Sequence, residues 1–216
     1  MSRLVATLST IAVLFTGCSI GPTEPPPAAL SRFLEALKDG RYATAYSLTS
    51  LEELSDSFGR GAAITREHFI AAWEADPLER YEVGTVTRID RRTIDAPRET
   101  GTPFFEVDLR FDRGDGPEDA VVTVDGEISG VVNLDVYGLR LEGVPEITTS
   151  LEVDGVRTPI RRRDGIVPLL LLGGRHQVRI ADKQIDLRAD EPEVIAGPAE
   201  LTDPATATIR LLVEGV

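Results

Sequence analysis

The stretch PFFEVDLRF, residues 103–111, alternates apolar and charged residues without a break. Phe105, Val107, Leu109 and Phe111 fall on one face of an extended chain, and Glu106, Asp108 and Arg110 fall on the other. A period of two marks a strand with one buried and one solvated face. That apolar face needs cover, and the residues upstream supply it. In AALSRFLEALKD (28–39), Leu30, Phe33, Leu34 and Leu37 repeat at helical spacing. A Pro run precedes this helix, and Gly40 suits the left-handed position that ends it. RYATAYSLT (41–49) predicts a short second helix with Tyr42, Ala45 and Tyr46 inward. Ser50 with Glu53 three places later has capping-box spacing for LEELSDSF. Thr65 is placed to cap REHFIAAWEA, which Asp76-Pro77 ends. The period changes to two at Glu79, in ERYEVGTVTRIDRRTI. AVVTVDGEI and SGVVNLDVYGLRL then continue as strands. Helices followed by an antiparallel sheet with one apolar face make an α+β fold.

Gly143 to Pro145 is the expected boundary. Beyond it TTSLEVDG, VPLLLLGGRHQVRI, KQIDLRA and TATIRLLVEG are short strands between turns, with no helical period. The expected division is therefore an α+β domain over 28–142 and a small β-sandwich-like domain over 145–216.

The N-terminus carries the localisation signal. Arg3 is followed by a charge-free run from Leu4 to Thr16, the length of a signal-peptide apolar segment and too short to span a bilayer. The only cysteine, Cys18, follows Gly17. Leu14-Phe15-Thr16-Gly17-Cys18 resembles a bacterial lipobox. The resemblance implies a signal peptide over 1–17, cleavage between Gly17 and Cys18, and a lipidated Cys18. Residues 18–27 would form a Pro-rich tether reaching about 30 Å at most. The chain has 36 acidic against 23 basic residues, a net charge of −13. Such a surface repels phosphate backbones, so no nucleic-acid partner is expected. Anionic lipid repels it too, so the acyl chains alone would hold it on the outer face of the cytoplasmic membrane. Two lysines beside many arginines, and a single asparagine, fit a GC-rich, actinobacterial-type host. One thiol and two histidines at unrelated spacings predict no metal site, and no cofactor is implied.

Two further resemblances extend this reading. FLEALKDGRYATAYSLTS and TREHFIAAWEADPLERYEVGTV, followed by long strands, resemble the nuclear transport factor 2-like superfamily over about residues 28–141. The similarity is to the small version found in bacterial lipoproteins and in the non-catalytic N-terminal part of some penicillin-binding transpeptidases. It implies a curved sheet wrapped on helices as a cone, often with a pocket, and carries over no catalytic residue. LEVDGVRTPI and LLLLGGRHQVRI resemble PEGA-type β modules, which implies an interaction or spacer role at the cell envelope.

Several side chains are candidates for chemistry. Glu106, Asp108 and Tyr137 could line a pocket, although alternation makes a solvated face the simpler reading. Arg161, Arg162 and Arg163 form a basic run able to meet an anionic partner such as lipid phosphate or an acidic wall polymer. His68 is expected on a partly exposed helix face and His176 as a structural residue after a turn, too far apart in sequence to join one catalytic set. The expectation is a membrane-anchored, non-enzymatic binding or assembly module with an envelope protein or wall polymer as partner. A carrier of a small apolar ligand is the alternative, and an enzyme using the sheet carboxylates is a more distant one. Cells fed a clickable fatty acid should label the wild-type chain and leave Cys18→Ala unlabelled; equal labelling refutes lipidation.

Overall fold

The structure, a computed structural model, describes residues 26–89, 104–113, 116–126 and 130–212. Gly17, Cys18, most of the tether and the turn expected at 97–102 lie outside them. Among the described residues the fold is α+β, with four α-helices and strands in three sheets. In chain order these are α1 (Ala28–Lys38), α2 (Tyr42–Tyr46), α3 (Leu51–Phe58), β1 (Ala62–Ala63), α4 (Arg66–Ala75), β2 (Arg80–Ile89), β3 (Phe104–Arg113), β4 (Gly116–Asp125), β5 (Val131–Asn133) and β6 (Val136–Glu142). Then follow β7 (Ser150–Val153), β8 (Val156–Pro159), β9 (Val167–Leu172), β10 (Arg175–Ile180), β11 (Lys183–Arg188), β12 (Glu193–Ala196), β13 (Ala199–Asp203) and β14 (Thr208–Leu211).

The helices cover the first sheet, antiparallel in the order β2-β3-β4-β5. Leu30, Phe33, Leu34 and Leu37 of α1 and Phe69 and Trp73 of α4 meet Phe105, Val107, Leu109 and Phe111 of β3 in one buried cluster. Tyr46, Phe69, Trp73 and Phe111 run through it as a chain of tilted and edge-on rings with centroids 5.6, 6.0 and 6.4 Å apart. α1 ends as its glycine requires. Gly40 has φ +68°, its N–H donates to Leu37 O, and Arg41 N–H reaches back to Ala36 O. The other expected caps do not form. Neither Ser50 nor Thr65 caps its helix by its side chain. Thr49 takes over at α3, its hydroxyl accepting from Leu51 N–H and donating to Tyr46 O.

The remaining sheets, β1-β9-β6-β14-β13 and β12-β11-β10-β7-β8, face each other across a second core. SGVVNLDVYGLRL, expected as one strand of the first sheet, divides at Leu134-Asp135. β5 stays with β4, while β6 pairs with β9 and, in parallel, with β14. The structural change of sheet thus falls near residue 135, ahead of the expected boundary at 142–145. Leu139 and Leu141, buried in the second core, are the reason.

The join is made by β9. Val167, Leu169 and Leu171 enter the second core, whereas Leu172 closes the first and Leu170 packs on it. β1, from the helical half, pairs in parallel with β9 at Leu170 and Leu171. Gly61 anchors this seam, donating to Pro159 O at 2.8 Å and accepting from Leu170 N at 3.0 Å. Its φ is +99°, and a Cβ there would collide with the carbonyl oxygen of Pro168. Gly61→Ala should lower stability by about 1–3 kcal/mol in urea unfolding, whereas Gly59→Ala, strained at φ +74° but with open space around it, should cost less.

Candidate functional site

The side chains singled out from the sequence do not converge. Glu106 and Asp108 are exposed on the outer face of the first sheet. They stand among cross-strand neighbours that include Arg110, opposite Glu82 and Asp119. Arg110 Nε lies 3.9 Å from Asp119 Oδ1, so this is a solvated face with charge pairing. Tyr137 is on β6 in a different sheet, packed with the second core beside Gly173. The arginine run also separates by role. Arg162 donates to the carbonyls of Val144, Pro145 and Glu146 at 2.9, 2.7 and 3.1 Å. It is a clamp on the linker, whose Ile147 is 92% exposed. Arg161 and Arg163 are exposed on either side of it. The apolar face of the first sheet is filled by the protein's own side chains.

His68 departs from expectation, while His176 is the structural residue expected after its turn. Both are buried, His68 at 4% exposure, and they lie close enough to act on each other electrostatically, together with Asp154. His68 bridges the halves of the chain. Its Nδ1 is 2.7 Å from Thr65 Oγ1 and its Nε2 2.7 Å from Thr158 Oγ1 on β8. The Thr65 hydroxyl donates to Glu67 at 2.9 Å, so its oxygen accepts from Nδ1–H, while the Thr158 hydroxyl stands between Nε2 and the carbonyl of Val156, 3.3 Å away. Burial pushes His68 below its ordinary range, with Asp154 and Glu67 pulling the other way. Thr158 and His68 have the spacing of a nucleophile and its base, but Thr158 is 1% exposed and no substrate reaches it. His176 ties the turns together, with Nδ1 2.6 Å from Asp154 Oδ2 and Nε2 2.8 Å from Leu172 O.

Among the described residues one cleft lies on the outer face of the first sheet, lined by Asp108, Arg110 and Asp119, and another on the outside of the helices. The cleft outside the helices, of about 580 Å³, is lined by Tyr46 at the end of α2 and Ser47 after it, Glu52 and Asp56 of α3, and Thr65, Arg66 and Glu67 at the start of α4. Glu52 and Asp56 are one helical turn apart and share a face. Glu67 is held ionised by its own N–H and by the Thr65 hydroxyl. Tyr46 lies at the back of the cleft, 6% exposed. Burial first, then Glu52, Glu67 and Asp56, push its hydroxyl up to about 12, so it stays protonated. Among the described residues no group of His, Cys, Asp and Glu converges closely enough to hold a metal ion. The sequence shows the Glu52–Asp56 spacing but does not show that the ends of α2, α3 and α4 meet.

No protein-family profile matches the chain, and no curated protein or solved structure matches it significantly.

The buried His68 sets a pH dependence. Its folded-state pKa is depressed, so its contribution is present above the unfolded value of about 6.5 and is lost as pH falls through the folded value. Urea midpoints should therefore drop between about pH 7.5 and about pH 5.5, and His68→Gln, weaker at the higher pH, should drop less over the same interval. An unchanged pH slope in the variant refutes this role.

Proposed function

We propose that this protein is a lipid-anchored, extracytoplasmic module of a bacterial cell envelope that binds or assembles partners and performs no catalysis. One observation carries the binding reading. The cone-like first core is filled by Phe33, Phe69, Trp73 and Phe105, while the open space lies outward, in the polar cleft of α2, α3 and α4. A filled cone speaks against the carrier of a small apolar ligand. Of the two hydroxyls within hydrogen-bond distance of the His68 ring, Thr158 is sealed from solvent and Thr65, at the cleft, spends its proton on Glu67, which speaks against an enzyme. The lipobox-like residues before Cys18, the Pro-rich tether and the similarity to nuclear transport factor 2-like lipoproteins and PEGA-type modules support placement on the outer face of the membrane. On this reading the acyl chains fix the protein at the bilayer and the cleft, on the helical side, meets the partner.

A photo-crosslinking residue placed at Asp56 in cells should capture an envelope component that the same residue at Glu106 does not. With the crosslinker kept at position 56, reversing the neighbouring charge with Glu52→Lys should abolish that capture without lowering the melting temperature. Equal capture from both positions, or capture that survives the reversal, counts against the cleft as the docking surface.

A further inference from the structure

We propose that His176 is an imidazolium in the folded protein, its second proton held against the Asp154 carboxylate, and that this buried ion pair is a proton-dependent latch on the end of β9.

The partners of the ring carry the argument. His176 Nε2 lies 2.8 Å from the carbonyl oxygen of Leu172, and Nδ1 lies 2.6 Å from Asp154 Oδ2. A carbonyl and a carboxylate only accept hydrogen bonds. A neutral imidazole has one N–H. With that N–H given to Leu172, the lone pair of Nδ1 would face a lone pair of the carboxylate. A proton on Nδ1 removes the conflict and makes a short, charge-assisted bond. His68 differs, because both of its partners are threonine hydroxyls, which donate as well as accept. It needs no second proton.

The surroundings hold the pair in place. His176 is buried, so its charge needs a close counter-charge. Asp154 is fixed in that role by the backbone of Gln177. Gln177 N–H donates to Asp154 Oδ1 at 2.8 Å, and Asp154 N–H donates to Gln177 O at 2.9 Å. Around the ring, the turn between β7 and β8 presents Asp154, α4 brings His68 within electrostatic range, and β11 places Leu187 opposite. The latch joins distant segments. It ties the β7–β8 turn through β10 to the Leu172 carbonyl at the end of β9, and the Leu172 side chain closes the first core.

The test is long-range ¹H–¹⁵N NMR of the labelled full chain, which has two histidines. His68→Gln leaves one ring and assigns it. At about pH 7, His176 should carry hydrogen on both nitrogens, with a downfield, slowly exchanging Nδ1 proton, while His68 carries one. Asp154→Asn separates the proton from the packing. Asp154 has φ +51° and precedes Gly155, a turn that asparagine suits. The amide donates its own N–H to Nδ1, so the latch closes without the proton and the variant should fold. His176 should then be neutral, with hydrogen on Nε2 alone. The unfolded chain binds a proton at His176 below about pH 6.5. The folded wild type already holds that proton, and the folded variant does not. Between about pH 7.5 and about pH 5.5 the stability of Asp154→Asn to urea should therefore fall more steeply than that of the wild type, by about one proton in the slope. A neutral His176 ring in the wild type at about pH 7, or equal slopes in the two proteins, overturns the proposal.

Discussion

Everything in this molecule hangs on one strand that is buried on both faces. β9 carries Val167, Leu169 and Leu171 into one core and Leu172 into the other, with Leu170 packed beside it. A strand of this kind cannot be solvated on either side, so the helical half and the strand-rich half must both be present to cover it. The parallel pairing with Ala62 and Ala63, and the paired hydrogen bonds of Gly61, fix the register in which that cover is applied. The polar groups at the seam follow from the same constraint. Once β8 is brought against α4, the imidazole of His68 is buried, and Thr65 and Thr158 satisfy its two nitrogens.

The fold class was legible because it rests on local periodicity. Alternation in Phe104–Phe111 and the helical spacing of Leu30, Phe33, Leu34 and Leu37 each specify an element without knowledge of its partners. What escaped was long-range. Leu169 to Leu172 are four leucines in a row, a pattern that signals burial on both faces, yet it does not say which two surfaces are covered. The step from β5 to β6 is marked only by Leu134-Asp135, too weak a break to move a strand to another sheet. Ser50 and Thr65 have the spacing of caps, but at α3 the Thr49 hydroxyl takes the Leu51 N–H instead, and at α4 the Thr65 hydroxyl is engaged by Glu67 and His68.

The same division explains the site. Glu106 and Asp108 were visible because they alternate with core residues, and that alternation is what places them in solvent. Tyr46 reads as core from its spacing, and its ring is core. Tyr46 borders the cleft only because α3 and α4 start beside it, which no local pattern states. The two histidines, 108 positions apart in sequence, come into mutual range only through the seam.

The seam also orders the life of the chain. Ala62 waits for a partner strand that is made roughly a hundred residues later, and such long loop closure is slow. A chain synthesised from its N-terminus offers α1 to α4 and β2 to β5 first, with the first core still lacking Leu172. Until β9 emerges, those helices have an apolar strip facing water. A chain that stops before β9 therefore keeps its first core open, and one made through Leu172 can close it.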